Sequence, residues 1–336
     1  MMNRRSPLVA AVVILLSACA AGPGPATVPA PQAALHSAPV RFEFHSGFLM
    51  NLHHFLYDVA RHPEHLAHAP WVQPPTPEEL QALNEAADFY RRHYAHSSLL
   101  FDPTLARIRE ALSVLDDERT DPHGLPLPGD LTQVLSQAAP AYARCLWPAH
   151  DHANRAWIER VQALNARHGA PIQQGIESAL QHPFPAALRD DVVADTGDLN
   201  GAYTADDPPH SVLPSERADY GGWAALEMLY HEAAHAGVTD TLQTAIDAEV
   251  ERQHRAPDHQ LWHAAQFEAV GAVVQRVLRE QAGVEYLPYA RQNGLYSGFW
   301  SGYQPLIDGP WDAYLRGQGS FSDAVRAMVA GLPAAQ

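Results

Sequence analysis

The apolar positions of this chain change their spacing about halfway along. From Phe48 to Ala60 they recur at helical intervals, and helix signals then dominate as far as Gly169. Thr76 followed by Pro77, Glu78 and Glu79 predicts a helix start. The hydroxyl caps free amides, the proline sits where no amide hydrogen is missed, and the acids face the positive end. Asp102 before Pro103 repeats the signal for a helix reaching about Leu115. Asp121 to Gly129 is a Pro/Gly-rich break, and a long helix is predicted over Tyr142 to Ala166, ended by Gly169. Short runs bounded by turn residues follow: Asp190 to Ala194, Gly201 to Thr204 and His210 to Leu213. They predict strands, as does the alternation over Arg41 to Phe44. These lead directly into a helix expected over Tyr220 to about Val238. Ser320 marks the start of a last helix ending near Gly331. The expected class is α+β and predominantly helical. Residues 39–185 form a mostly helical part and residues 186–336 hold a small sheet beside an active helix, with no clean boundary between them.

The N-terminus reads differently. Arg4 and Arg5 precede an apolar stretch, Leu8 to Leu16, too short for the roughly 20 residues a membrane span needs. Leu16-Ser17-Ala18-Cys19 resembles the lipobox of bacterial lipoproteins. That resemblance implies a signal peptide over residues 1–18 and a diacylglycerol on the Cys19 thiol, making the membrane a partner. Ala20, where an Asp would signal inner-membrane retention, points by the same resemblance to the outer membrane, facing the periplasm or the exterior. Residues 19–38, rich in Ala, Pro and Gly, read as a flexible tether. The net charge is −16 and all 22 basic residues are Arg. This excludes lysine Schiff-base and P-loop chemistry and argues against nucleic acid as a partner. With Cys19 acylated, Cys145 has no partner for a disulfide and is expected to be a small buried hydrophobe.

His231-Glu232-Ala233-Ala234-His235 carries the chemistry. On a helix, positions i and i+4 project from one face, so both imidazoles can hold one metal ion. Glu232 lies beside them, suited to taking a proton from water activated by the metal. The order of short strands followed by an HExxH helix resembles the zincin-like metallopeptidase superfamily over about Asp190 to Glu280. The resemblance implies Zn²⁺ and hydrolysis of a peptide or protein substrate lying along the sheet edge. A third ligand is required. The metzincin extension is missing after His235, and gluzincins use a Glu on a later helix, which would be Glu268. His263 competes with it. At 100° per residue from Leu261, His263 falls near the middle of the stripe formed by Trp262, Phe267, Val270 and Val273, whereas Glu268 falls among Gln275, Arg276 and Arg279. The wheel favours His263, with Glu268 as the alternative.

Further assignments are weaker in kind. Glu227, one turn before His231, either orients a ligand imidazole or complements the helix N-terminus. Zincins commonly add a Tyr or His that stabilises an oxyanion. Tyr286, Tyr289, Tyr296, Tyr303 and His210 are available, with Tyr289 favoured because it follows the ligand helix by a short link. His53 and His54 read as packing residues, and His62, His65 and His68 as exposed background. Gly294 to Gly309, rich in aromatics, lines a cleft or packs over the helices. The expectation is a zinc-dependent hydrolase using His231, His235, His263 and Glu232. The alternative is an inactive zincin-like lipoprotein serving as an envelope binding or assembly factor.

Overall fold

A computed structural model describes residues 38–197, 201–206 and 208–335. The signal-like segment, Cys19 and nearly all of the tether lie outside the described residues. The chain is predominantly helical with one small mixed sheet, an α+β protein. Strand β1 (Arg41–His45) is followed by helices α1 (Phe48–Arg61), α2 (Glu64–Ala67), α3 (Pro77–His93), α4 (Pro103–Ser113), α5 (Leu131–Cys145) and α6 (Trp147–Leu180). Then come β2 (Ala187–Val193), β3 (Tyr203–Asp206) and β4 (Pro209–Pro214). Helices α7 (Gly222–His235), α8 (Asp240–Arg252), α9 (Leu261–Ala282) and α10 (Tyr289–Gln292) precede a last helix, Phe321–Ala330. No helix among the described residues is long and apolar enough to cross a membrane.

The strand order is β1-β2-β4-β3. β1 and β4 flank β2 in parallel, and β3 runs antiparallel to β4 at the edge. β1 thus pairs along its whole length with a strand from the second half of the chain, and both halves share one sheet. Successive residues of a strand point to opposite faces. Leu188, Val192 and Leu213 enter one core with α6, α7 and α9; Val193, Tyr203 and Val212 enter another with α1, α3 and α5. The sheet is therefore covered on both sides.

The caps at Thr76 and Asp102 form. Thr76 and Glu79 each bond the other's backbone amide, and Asp102 accepts from Thr104 and Leu105. The helix expected over Tyr142 to Ala166 is instead two helices that meet at Leu146. Pro148, which lacks an amide hydrogen, sits in the first turn of α6, where none is needed. Nor does Gly169 end α6, which continues to Leu180 through Pro171. The glycine answers a packing need. A Cβ there would lie 2.2 Å from Asn165 Oδ1 and 2.7 Å from the Tyr230 hydroxyl, so its absence lets α6 approach α7. The motif helix is shorter than expected, running from Gly222 to His235, with Gly237 at φ +90° just beyond its end.

The C-terminal ends of the parallel strands are tied by a buried pair of amides. Asn51 Nδ2 donates to the Val192 and Gly47 carbonyls, and its Oδ1 accepts from the Ala194 amide and Asn154 Nδ2. Asn154 also donates to Ser46 Oγ and accepts from Ser215 Oγ, reaching the ends of β1 and β4. Truncating Asn51 would strand several buried polar groups, each worth about 1–3 kcal/mol. Asn51→Ala is therefore expected to cost at least about 2 kcal/mol, read as a lower urea midpoint with unchanged slope. A change below about 0.5 kcal/mol would refute the amide tie.

Candidate metal centre

His231 and His235 stand one turn apart at the end of α7, and α9 crosses that helix so that His263 faces both. His231 Nε2 lies 3.2 Å from His235 Nε2 and 3.3 Å from His263 Nε2. In a tetrahedral zinc site, with Zn–N bonds near 2.0–2.1 Å, neighbouring nitrogens sit about 3.3–3.4 Å apart. Burial lowers the pKa of all three imidazoles: that of His263 to about 4, and those of His231 and His235 well below the usual value. They are neutral at pH 7, the form that ligates a metal. Three neutral imidazoles aimed at one point cannot all pair with each other, so the donor set fits a bound cation.

The crossing of α7 and α9 is pinned by Gln266. This fully buried amide donates to the His231 carbonyl at 2.8 Å and accepts the Thr239 hydroxyl at 2.6 Å, and the Thr239 amide caps Ala234. Phe267 stacks on His231 with centroids 3.6 Å apart, and Trp262 and Trp300 flank His263. His235 and His263 keep partial exposure, so the site has an open side.

Glu232 lies on the sheet side of the motif. Its Oε2 accepts the Thr204 hydroxyl at 2.8 Å, and the same oxygen of Thr204 lies 3.2 Å from Ser211 Oγ. Ser211 is in register with Asp190 on β2, which completes a buried polar row from Glu232 across β3 and β4 to β2. Burial raises the Glu232 pKa to about 7, partly countered by Thr204. Burial, with Asp191 and Glu232 nearby, pushes Asp190 far above the usual carboxylate range. Sequence reasoning missed Thr204, Ser211, Asp190 and Gln266. The one available signal was Gln266 itself, a polar amide amid Ala264, Ala265, Phe267 and Val270, which burial obliges to find partners.

Other expected residues are placed elsewhere. Glu268 does not point to solvent as the wheel implied. It is 7% exposed and bonded by Arg291 at 3.0 and 3.1 Å, because α10 covers that side of α9. Nor does Glu227 orient His231: both its oxygens accept the Tyr289 amide, and His231 Nδ1 has no partner among the described residues. The Tyr289 ring stacks on Phe267, but its hydroxyl donates to Asp219 at 2.7 Å. Tyr296 and Tyr303 are likewise spent, on the Ala264 carbonyl and Asp258. Tyr286 stands beside Glu227. His210 lies one residue from Ser211 on β4 and therefore on the other face of the sheet. His53 and His54 are buried and bonded to Tyr90, Tyr203 and the Thr196 carbonyl. His62, Glu64 and His65 form a second, mostly exposed group. Cys145 is buried and free.

Arg291 also pairs with Asp308. Arg291→Ala would leave the Glu268 carboxylate buried without its cation, an expected loss of about 3 kcal/mol or more. Adding Glu268→Gln should restore part of that stability. If the single substitution leaves the thermal midpoint unchanged, the ion-pair role fails. No protein-family model, curated protein or solved structure matches this chain.

Proposed function

We propose that this chain is a zinc-dependent hydrolase of the zincin-like kind, acting on peptide or protein substrates and held in the bacterial envelope by a lipid on Cys19. The observation that carries the reading is the convergence of three neutral imidazoles, with His231 Nε2 at tetrahedral separations from the Nε2 atoms of both His235 and His263, beside a carboxylate outside the ligand set. Bound there, zinc would supply a Lewis acid that acidifies water and polarises a carbonyl. The chain's own residues do the rest. His231, His235 and His263 hold the metal. Glu232, steadied by Thr204, accepts a proton at its carboxylate and returns it to the departing amine. Trp262, Phe267 and Trp300 form an aromatic wall that limits water and offers apolar contact to a substrate. β3 is an edge strand beside α7, a position at which an extended peptide can add to the sheet.

Elemental analysis of the full chain, purified without a metal-affinity tag, should give about one zinc per chain. His263→Ala should weaken zinc binding by more than about 100-fold, beyond the loss typical of a supporting group, while Glu268→Ala retains it. The reverse order would transfer the ligand role to Glu268. Glu232→Gln should keep the zinc and lose about 1000-fold in casein hydrolysis. Undiminished hydrolysis by that variant removes Glu232 as base. A zinc-loaded wild type without hydrolysis removes the enzyme reading and leaves a metal-binding envelope protein. Cys19→Ser should move the chain from the membrane to the soluble fraction on cell fractionation, and unchanged membrane attachment would refute the anchor.

A further inference from the structure

On the α1 side of the sheet, beyond the ends of β2 and β4, lies a cavity of about 290 Å³ that the metal chemistry does not use. Its lining includes Asp58, Asp195 and Glu216 together with His65, His150 and Phe55; among the described residues no arginine lines it. Asp58 is paired with His65 at 2.8 Å, and Asp195 accepts the Gly197 amide. The Glu216 side chain has no bonded partner among the described residues. Asn51, also in the lining, has spent its amide hydrogens on Gly47 and Val192. What the cavity offers a ligand is thus a set of acceptors in which Asp58 is paired with His65, while Asp195 and Glu216 have no ion-pair partner among the described residues.

His150 is the second, independent feature. It lines the cavity at 4% exposure, its Nδ1 lies 2.9 Å from the Tyr142 hydroxyl, and its Nε2 has no hydrogen-bond partner among the described residues. Burial lowers its pKa to about 4, so the ring is neutral at pH 7 and its free nitrogen adds no positive charge. Burial first, and Asp195 after it, raises Glu216; burial also raises Asp58, against the lowering hydrogen bond and charge of His65.

We propose that this cavity binds a small organic cation, an ammonium or guanidinium group on a short apolar stem, with Glu216 and Asp195 meeting the charge and His150 Nε2 orienting the head. The volume is close to the lower end of small-molecule sites, about 300 Å³. Phe55, Pro70, Ala69 and Ala194 supply the apolar and aromatic wall that such a stem and cation require. A bare metal ion fits less well. Ligands at 2.0–2.6 Å from one ion lie within about 5 Å of each other, and no three donor groups of this cavity lie within 4.8 Å among the described residues.

Agmatine, which carries both head groups on four carbons, is the probe. Isothermal titration of the purified full chain should show saturable one-to-one binding. Glu216→Gln and His150→Gln should each weaken it about 10-fold or more, the loss of one charge-assisted bond. His263→Ala should leave it unchanged, which separates this site from the metal centre. Three results overturn the proposal: no agmatine binding, binding indifferent to both substitutions, or binding of Ca²⁺ or Zn²⁺ that Glu216→Gln abolishes while agmatine does not bind. Glu216 is exposed and the change is isosteric, so a folding failure of His150→Gln leaves the Glu216 arm decisive.

Discussion

The parallel pairing of β2 with both its neighbours is the constraint on which the architecture rests. Such a strand has no face to give to water, because crossover chain must cover both sides. Here the cover comes from different parts of the sequence: α1, α3 and α5 on one face, α6, α7 and α9 on the other. Val192 and Val193, adjacent in sequence, belong to different cores for this reason. The histidine cluster and the carboxylate-lined cavity inherit the division. One lies with α7 and α9, the other lies with α1 at the ends of the strands, and the buried amides of Asn51 and Asn154 tie those ends together.

On the metal face, small residues make the geometry possible. Ala224, Ala225, Ala233 and Ala234 let α7 settle close against the sheet and α9. Glu232 can then reach Thr204 on β3 while His231 and His235 turn toward α9. The carboxylate is held by the sheet and the imidazoles by Gln266 and Phe267, so the two are positioned by separate supports. A row of Thr204, Ser211 and Asp190 beneath Glu232 is costly to bury. Burial, with Asp191 and Glu232 nearby, pushes the Asp190 carboxyl well above the usual range, the direction expected when a buried carboxylate lacks a cation.

Much of this was legible in the residues, and the failures share a cause. The HExxH helix, all four strand neighbourhoods and the inward direction of His263 follow from spacing alone, because each depends on one element's own period. Glu268 was misplaced because a helical wheel knows nothing of Arg291, which arrives from α10 to cover it. Gly169 was read as a helix end because local propensity cannot see the Tyr230 hydroxyl that excludes a side chain there. Thr204, Ser211 and Asp190 are unremarkable one at a time, and only strand register aligns them. The same holds for Asp58, His150 and Glu216, which lie far apart in sequence and meet only in the folded chain.

The pairing of β1 with β2 also has a kinetic meaning. Arg41 meets Ala187 across nearly the whole helical half of the chain, so the first strand to leave the ribosome has no partner until about 150 residues more have followed. Closing so long a loop costs entropy before any ladder bond repays it. The helices between can form early from local contacts, yet their apolar faces lack the sheet that both cores require. A chain whose second half is still missing therefore cannot lock into its final shape, and topology alone keeps it pliable until that half has arrived.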